Sequence, residues 1–121
     1  MNKIFALLVI VVLVSFYGCK KEATETWKIK YQLLNIGQET PVYRVNYILP
    51  NGSSKQVGPV NTYNWESEEL EGFESGKSIY LEIELISGDG QYQFIILRNG
   101  AVHEKAIMPV NAPAFVLETE I

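Results

Sequence analysis

Most of what an enzyme or a metalloprotein needs is scarce in this sequence. Its 121 residues include one cysteine, Cys19, one histidine, His103, and one aspartate, Asp89. A single cysteine excludes an internal disulfide, and together with a single histidine it leaves no ligand set for a zinc cluster. One histidine and one aspartate cannot be assembled convincingly into a Ser-His-Asp arrangement, and no glycine-rich phosphate loop is present. Neither catalysis nor a cofactor is therefore expected. Lysine and arginine are also in the minority, 10 against 14 acidic residues. Phosphate neutralisation draws on those basic groups, so no nucleic-acid partner is expected.

What is present begins at the N-terminus. Lys3 supplies a positive start, and Ile4 to Tyr17 form an apolar segment interrupted only by Ser15. As a helix this segment would reach roughly 21 Å, short of the ~30 Å hydrocarbon core that a permanent span must cross. The layout is that of a secretory signal peptide of residues 1–18. It closes on Phe16-Tyr17-Gly18-Cys19, which resembles the lipobox of bacterial lipoproteins, with a small residue ahead of a cysteine that receives diacylglycerol. Gly18 and Cys19 match that pattern, whereas Phe16 and Tyr17 are bulkier than its usual residues. Stable anchoring takes two or more acyl chains at ~0.8 kcal/mol per buried methylene, which a lipobox cysteine provides without a protein span. The competing reading is an uncleaved membrane anchor carrying an incidental cysteine.

Removing residues 1–18 leaves 103, enough for one domain, with nine basic and fourteen acidic residues. Residues 19–26 read as lipid anchor and polar linker. Lys20-Lys21-Glu22 faintly resembles the charged sorting tags of surface-exposed lipoproteins in Gram-negative bacteria. The expected location is the bacterial cell envelope, at the outer membrane, with the bilayer reached through acylated Cys19.

From Trp27 onward, over residues 27–121, the hydrophobic period is two. Trp27, Ile29, Tyr31 and Leu33 alternate with Lys28, Lys30 and Gln32, and Tyr43, Val45, Tyr47 and Leu49 with Arg44 and Asn46. Pro50-Asn51-Gly52 signals a hairpin turn, and a weaker strand through Lys55 to Val57 pairs back. Asn61 to Gly76 is irregular and glutamate-rich, readable as a strand with a loop or as one helical turn. Ile79, Leu81, Ile83 and Leu85 resume the alternation, Gly88-Asp89-Gly90 interrupts it, and Gln91 to Leu97 reads as a central strand. Arg98-Asn99-Gly100 is a second hairpin turn into Ala101 to Ile107, and Phe115 to Ile121 closes the chain with Glu118 and Glu120 facing water. The pattern predicts an all-β fold: an antiparallel β-sandwich of roughly seven or eight short strands following the N-terminal signal helix.

The succession Tyr43-Arg44-Val45-Asn46-Tyr47, Asn51-Gly52, Tyr63-Asn64-Trp65, Phe73 to Gly76 and Ile95 to Gly100 resembles the small MmpS-type membrane proteins and their lipoprotein relatives. The resemblance implies an immunoglobulin-like sandwich in the cell envelope, working beside large transporters. Tyr63-Asn64 stands where that family has Leu-Pro, and Phe94 where mycobacterial members have a cysteine. A lipid cysteine replaces their transmembrane helix.

Few residues then remain as site candidates. Adjacent strand residues point to opposite faces, so His103 and Glu104 are poorly placed to share a metal or a proton, and His103 reads as a surface group. Glu82 and Glu84 share a strand face with Cα atoms about 6.5 to 7 Å apart. They would suit a hydrolase or a calcium site only in a concave pocket. Glu66, Glu68, Glu69, Glu71 and Glu74 lack the spacing of a calcium loop and read as a solvating segment, or one that steers a basic partner. Among the aromatics, Tyr63 and Trp65 lie outside the regular alternation and are the candidates for ligand or partner contact. The leading expectation is a non-catalytic lipoprotein that binds another envelope protein, as an interaction or transport-accessory module, through a sheet face or an edge strand. The alternative is a small-ligand or glycan receptor using exposed aromatics. Cys19→Ala is expected to abolish acylation and leave the precursor uncleaved; mass spectrometry showing a variant still acylated and cut before residue 19 would refute the anchor.

Overall fold

Strict alternation over ten residues builds the strand on which the first sheet is founded. The computed structural model describes residues 25–121, so the signal peptide, Cys19 and most of the linker lie outside the described residues. Strand β1 (Thr26–Asn35) turns Ile29, Tyr31 and Leu33 inward, each fully buried, and Lys28, Lys30 and Gln32 outward. It opens at Thr26, one residue inside the span 19–26 expected as anchor and linker.

Eight further strands follow: β2 (Val42–Ile48), β3 (Ser54–Val60), β4 (Trp65–Glu66), β5 (Leu70–Glu74), β6 (Ser78–Ser87), β7 (Tyr92–Arg98), β8 (Ala101–Ile107) and β9 (Ala114–Glu120). All pair antiparallel. One sheet runs β4-β1-β7-β8, with β5 also pairing β1, and the other runs β3-β2-β6-β9. No helix occurs among the described residues. The architecture is an antiparallel β-sandwich whose inner faces supply the core: Tyr43, Val45 and Tyr47 from β2, Ile79, Leu81 and Ile83 from β6, and Tyr92, Phe94 and Ile96 from β7.

Nine strands form where about seven or eight were expected, because the irregular stretch before Gly76 supplies two short ones. Strand β4 pairs with Gln32 and Leu33 of β1, and β5 pairs lower down the same edge with Thr26, Trp27 and Ile29. Between them Ser67, buried, joins β1 as well: its N–H donates to the Tyr31 carbonyl at 2.9 Å and its hydroxyl oxygen accepts from the Tyr31 N–H at 3.0 Å. A side chain here completes what a longer strand would have done with backbone alone.

The two Asn-Gly turns differ. At Asn99-Gly100 both residues take positive φ, 51° and 82°, the conformation a two-residue hairpin requires. At Asn51-Gly52 only Gly52 is left-handed. Pro50 precedes it, the loop spans Leu49 to Ser53, and the Asn51 side chain accepts from the Ser53 N–H and hydroxyl at 3.0 and 2.6 Å.

Strand β3 contains one extra residue opposite Tyr43 to Val45, at Gly58. This glycine has φ +133°, and a Cβ there would lie 2.9 Å from the Tyr43 carbonyl oxygen and 3.1 Å from the Arg44 Cα. Backbone atoms cannot retreat as a flexible side chain would. Gly58→Ala is therefore expected to cost about 2 kcal/mol or more of stability, read as a lower urea midpoint; an unchanged midpoint would contradict the assignment.

Candidate functional site

Most aromatic side chains of this domain are core. Tyr31, Tyr43 and Tyr92 are fully buried and Tyr47 nearly so. Tyr31 packs on Tyr47 with ring centroids 5.1 Å apart, and Tyr43 on Tyr92 at 5.2 Å. Trp27 is half-buried under the Arg98 guanidinium, 4.6 Å from the ring centroid. A broad exposed platform for stacking sugars is therefore absent from the described residues.

The two nominated residues separate. Trp65 is half-buried, packed against the core with its ring 5.5 Å from that of Tyr47. Its sequence neighbours concealed this, because a two-residue strand shows no alternation to read. Trp65 also borders a groove of about 180 Å³ with Gln32, Leu34, Asn64 and Glu66, although its register with Leu33 turns the indole inward. Tyr63 is half-exposed, and its hydroxyl donates to the Gly37 carbonyl at 3.2 Å.

The loop carrying Tyr63 is held from beneath. The Thr62 carbonyl accepts from the Tyr43 hydroxyl at 3.0 Å and from the Tyr92 hydroxyl at 3.4 Å. Asn64 Oδ1 accepts from the Asn35 N–H at 2.9 Å. Neighbouring loops join the same end of the molecule: the Ile36 N–H donates to the Gln91 carbonyl at 2.9 Å, and Gln91 Nε2 to the Met108 carbonyl at 3.2 Å. Between these loops lies a shallow cleft of about 150 Å³ with Gly37, Glu39, Asp89 and Val110 on its walls. A larger cleft of about 330 Å³ opens at the opposite end, beside Leu49, Phe73, Lys77 and Ile79. Sequence reasoning singled out neither cleft, since each is assembled from separate turns.

The acidic candidates resolve as surface structure. Glu82 and Glu84 stand on the outer face of the second sheet, where Asn46 Nδ2 donates to Glu82 at 2.8 Å and to Glu84 at 3.3 Å, and Arg44 lies 3.9 Å from Glu84. They face away from the core on a sheet surface, so the hydrolase reading loses its concave pocket. In the glutamate-rich segment, Glu66, Glu71 and Glu74 pair with Lys30, Lys28 and Lys77 at 3.3 to 3.9 Å. That leaves Glu68 and Glu69 for any steering role among the described residues. No three His, Cys, Asp or Glu side chains come together as a metal site among the described residues.

His103 occupies a bulge in β8 that the alternation could not reveal. Its Nε2 lies 2.8 Å from the Glu120 carbonyl oxygen, so the half-buried ring ties β8 of one sheet to β9 of the other. No protein-family model matches the chain, and no curated protein matches it.

Truncating Trp65 to Ala is expected to destabilise by about 2 to 3 kcal/mol, whereas Tyr63→Ala should change stability by about 0.5 kcal/mol or less; urea unfolding of the two variants separates core from surface. Burial pushes the Tyr31 hydroxyl above the ordinary tyrosine range, helped by Tyr47, and burial followed by Tyr43 does the same to Tyr92. Above the ordinary value of about 10, the unfolded chain releases these protons before the folded one does. Stability should fall as pH rises past that point, and a flat urea midpoint there would contradict the burial of these hydroxyls.

Proposed function

We propose that this chain is a non-catalytic cell-envelope lipoprotein, held through acylated Cys19 in the outer membrane, that binds another envelope protein as an interaction or transport-accessory module. The anchor rests on the apolar run ending at Gly18-Cys19 and on the polar residues after it. The transport-accessory form of the role rests on the resemblance to MmpS-type proteins. One observation carries the preference for a protein partner. Four of the tyrosines that could have stacked a sugar, Tyr31, Tyr43, Tyr47 and Tyr92, lie in the core, while Ile36, Tyr63, Ile107 and Val110 remain exposed. Apolar side chains left exposed in this way mark protein contact more often than glycan contact.

The glycan reading keeps one specific support, the groove in which Trp65 stands beside Gln32, Asn64 and Glu66. Amide and carboxylate groups on a groove wall can hydrogen-bond the hydroxyls of a sugar. Extracting the acylated protein from its own envelope in mild detergent distinguishes the two. A stoichiometric co-purifying envelope protein is expected. Its absence, combined with glycan binding that Trp65→Ala removes, would transfer the assignment to the second reading.

A further inference from the structure

The strands give the molecule two unlike ends. Strand β1 starts at Thr26, and the same end holds the Asn51-Gly52 turn, the Asn99-Gly100 turn and the last residue, Ile121. The opposite end consists of four loops, over residues 36–41, 61–64, 88–91 and 108–113. Those four loops contain no lysine or arginine, and they carry the exposed carboxylates Glu39 and Asp89, neither in an ion pair among the described residues. By contrast Lys28, Lys55, Lys77 and Arg98 lie towards the end where β1 begins.

Exposed apolar side chains gather at the loop end too. Ile36 is 46% exposed, Tyr63 50% and Val110 68%. They belong to one connected surface: Tyr63 bonds Gly37, Ile36 bonds Gln91, and Gly37, Gln91 and Val110 line the same cleft. The loops are also braced from below, by the buried Tyr43 and Tyr92 hydroxyls on Thr62 and by close packing of Gly90 on Pro41. A surface already ordered before binding loses little further entropy when it docks.

We infer that this loop end is the docking surface, and that its occupant is a protein presenting an apolar patch flanked by lysine or arginine. The inference rests on the reading above, that the chain docks another envelope protein. Charge selects the occupant. A second copy meeting end to end would bring Glu39 and Asp89 against their own counterparts, and an anionic bilayer surface would be repelled, whereas basic side chains are attracted and steered. Geometry agrees with a tether at Cys19. The tether would enter at the start of β1, and its ten residues carry the chain about 33 Å to the loop end, so the loop end lies opposite the point of attachment, where a partner has access.

Site-specific photocrosslinking tests this in the full-length chain within its native envelope. Benzoylphenylalanine is placed at Tyr63 or Val110 on the loop end, and at Val102 or Val116 on the two outer sheet faces as comparisons. Heterologous adducts are expected from the first pair and not from the second. They should drop about tenfold or more in the Glu39→Lys, Asp89→Lys variant, with the urea midpoint little changed because both side chains are exposed. Adducts from Val102 or Val116 alone, adducts the mass of two copies, or loop-end adducts indifferent to charge reversal would each overturn the inference. Palmitate incorporation measured on the same samples separates the two levels of the argument. Adducts confined to the sheet faces of an acylated protein would leave partner binding standing and remove only the loop end. No adduct from any position of an acylated protein would remove both, and loss of acylation would remove the anchor.

Discussion

Three tyrosines closed into an apolar core impose a requirement that shapes both ends of this sandwich. A buried hydroxyl without a partner costs about 1 to 3 kcal/mol, and the inward faces of strands offer it nothing, since their backbone groups already bond one another. Each hydroxyl must reach the place where strand gives way to loop. Tyr31 does so at one end, donating to the Ile48 carbonyl at 2.8 Å. Tyr43 and Tyr92 do so at the other, converging on the single carbonyl of Thr62. Core packing and loop position are thereby one problem. The loop that satisfies the hydroxyls is held in place by them, and its next side chain, Tyr63, is directed outward.

The same dependence explains which parts of the fold were legible in sequence. Wherever a strand runs long enough for period two to repeat, as at Ile29-Tyr31-Leu33 or Ile79-Leu81-Ile83, the inward residues follow directly, because each is fully or almost fully buried. The pattern fails where pairing is set by something other than alternation. Strand β4 is two residues long and owes its place to Leu33 and to the Ser67 bonds just beyond it. Trp65 therefore looked free while it packs on Tyr47. Bulges at Gly58 and His103 each insert a residue that shifts the count by one, which composition cannot announce. The loop end was illegible for a further reason. Its surface joins residues from four separate turns, brought together only by the sheet order.

Charge shows how local pairing alters the meaning of a run. The acidic stretch from Glu66 to Glu74 suggested a steering field, yet Lys28, Lys30 and Lys77 stand across from three of its members. Glu39 and Asp89, isolated in sequence and unremarkable there, lie on one cleft without such neighbours among the described residues. Exposed pairs of this kind contribute little stability. Their effect is on the field, because a neutralised run projects less than two carboxylates left in the open.

The kink in β3 bears on behaviour in company. Strand β3 is a free margin of the second sheet, and an unguarded margin invites backbone pairing with another molecule. A protein fastened to a bilayer as proposed diffuses in two dimensions at raised local density, where such pairing would propagate into arrays. Gly58 bends the margin away from a straight template, Pro59 removes a donor, and Lys55 adds charge to it. The residue that lets β3 pass close to Arg44 thus also makes the margin a poorer template for pairing with a second molecule.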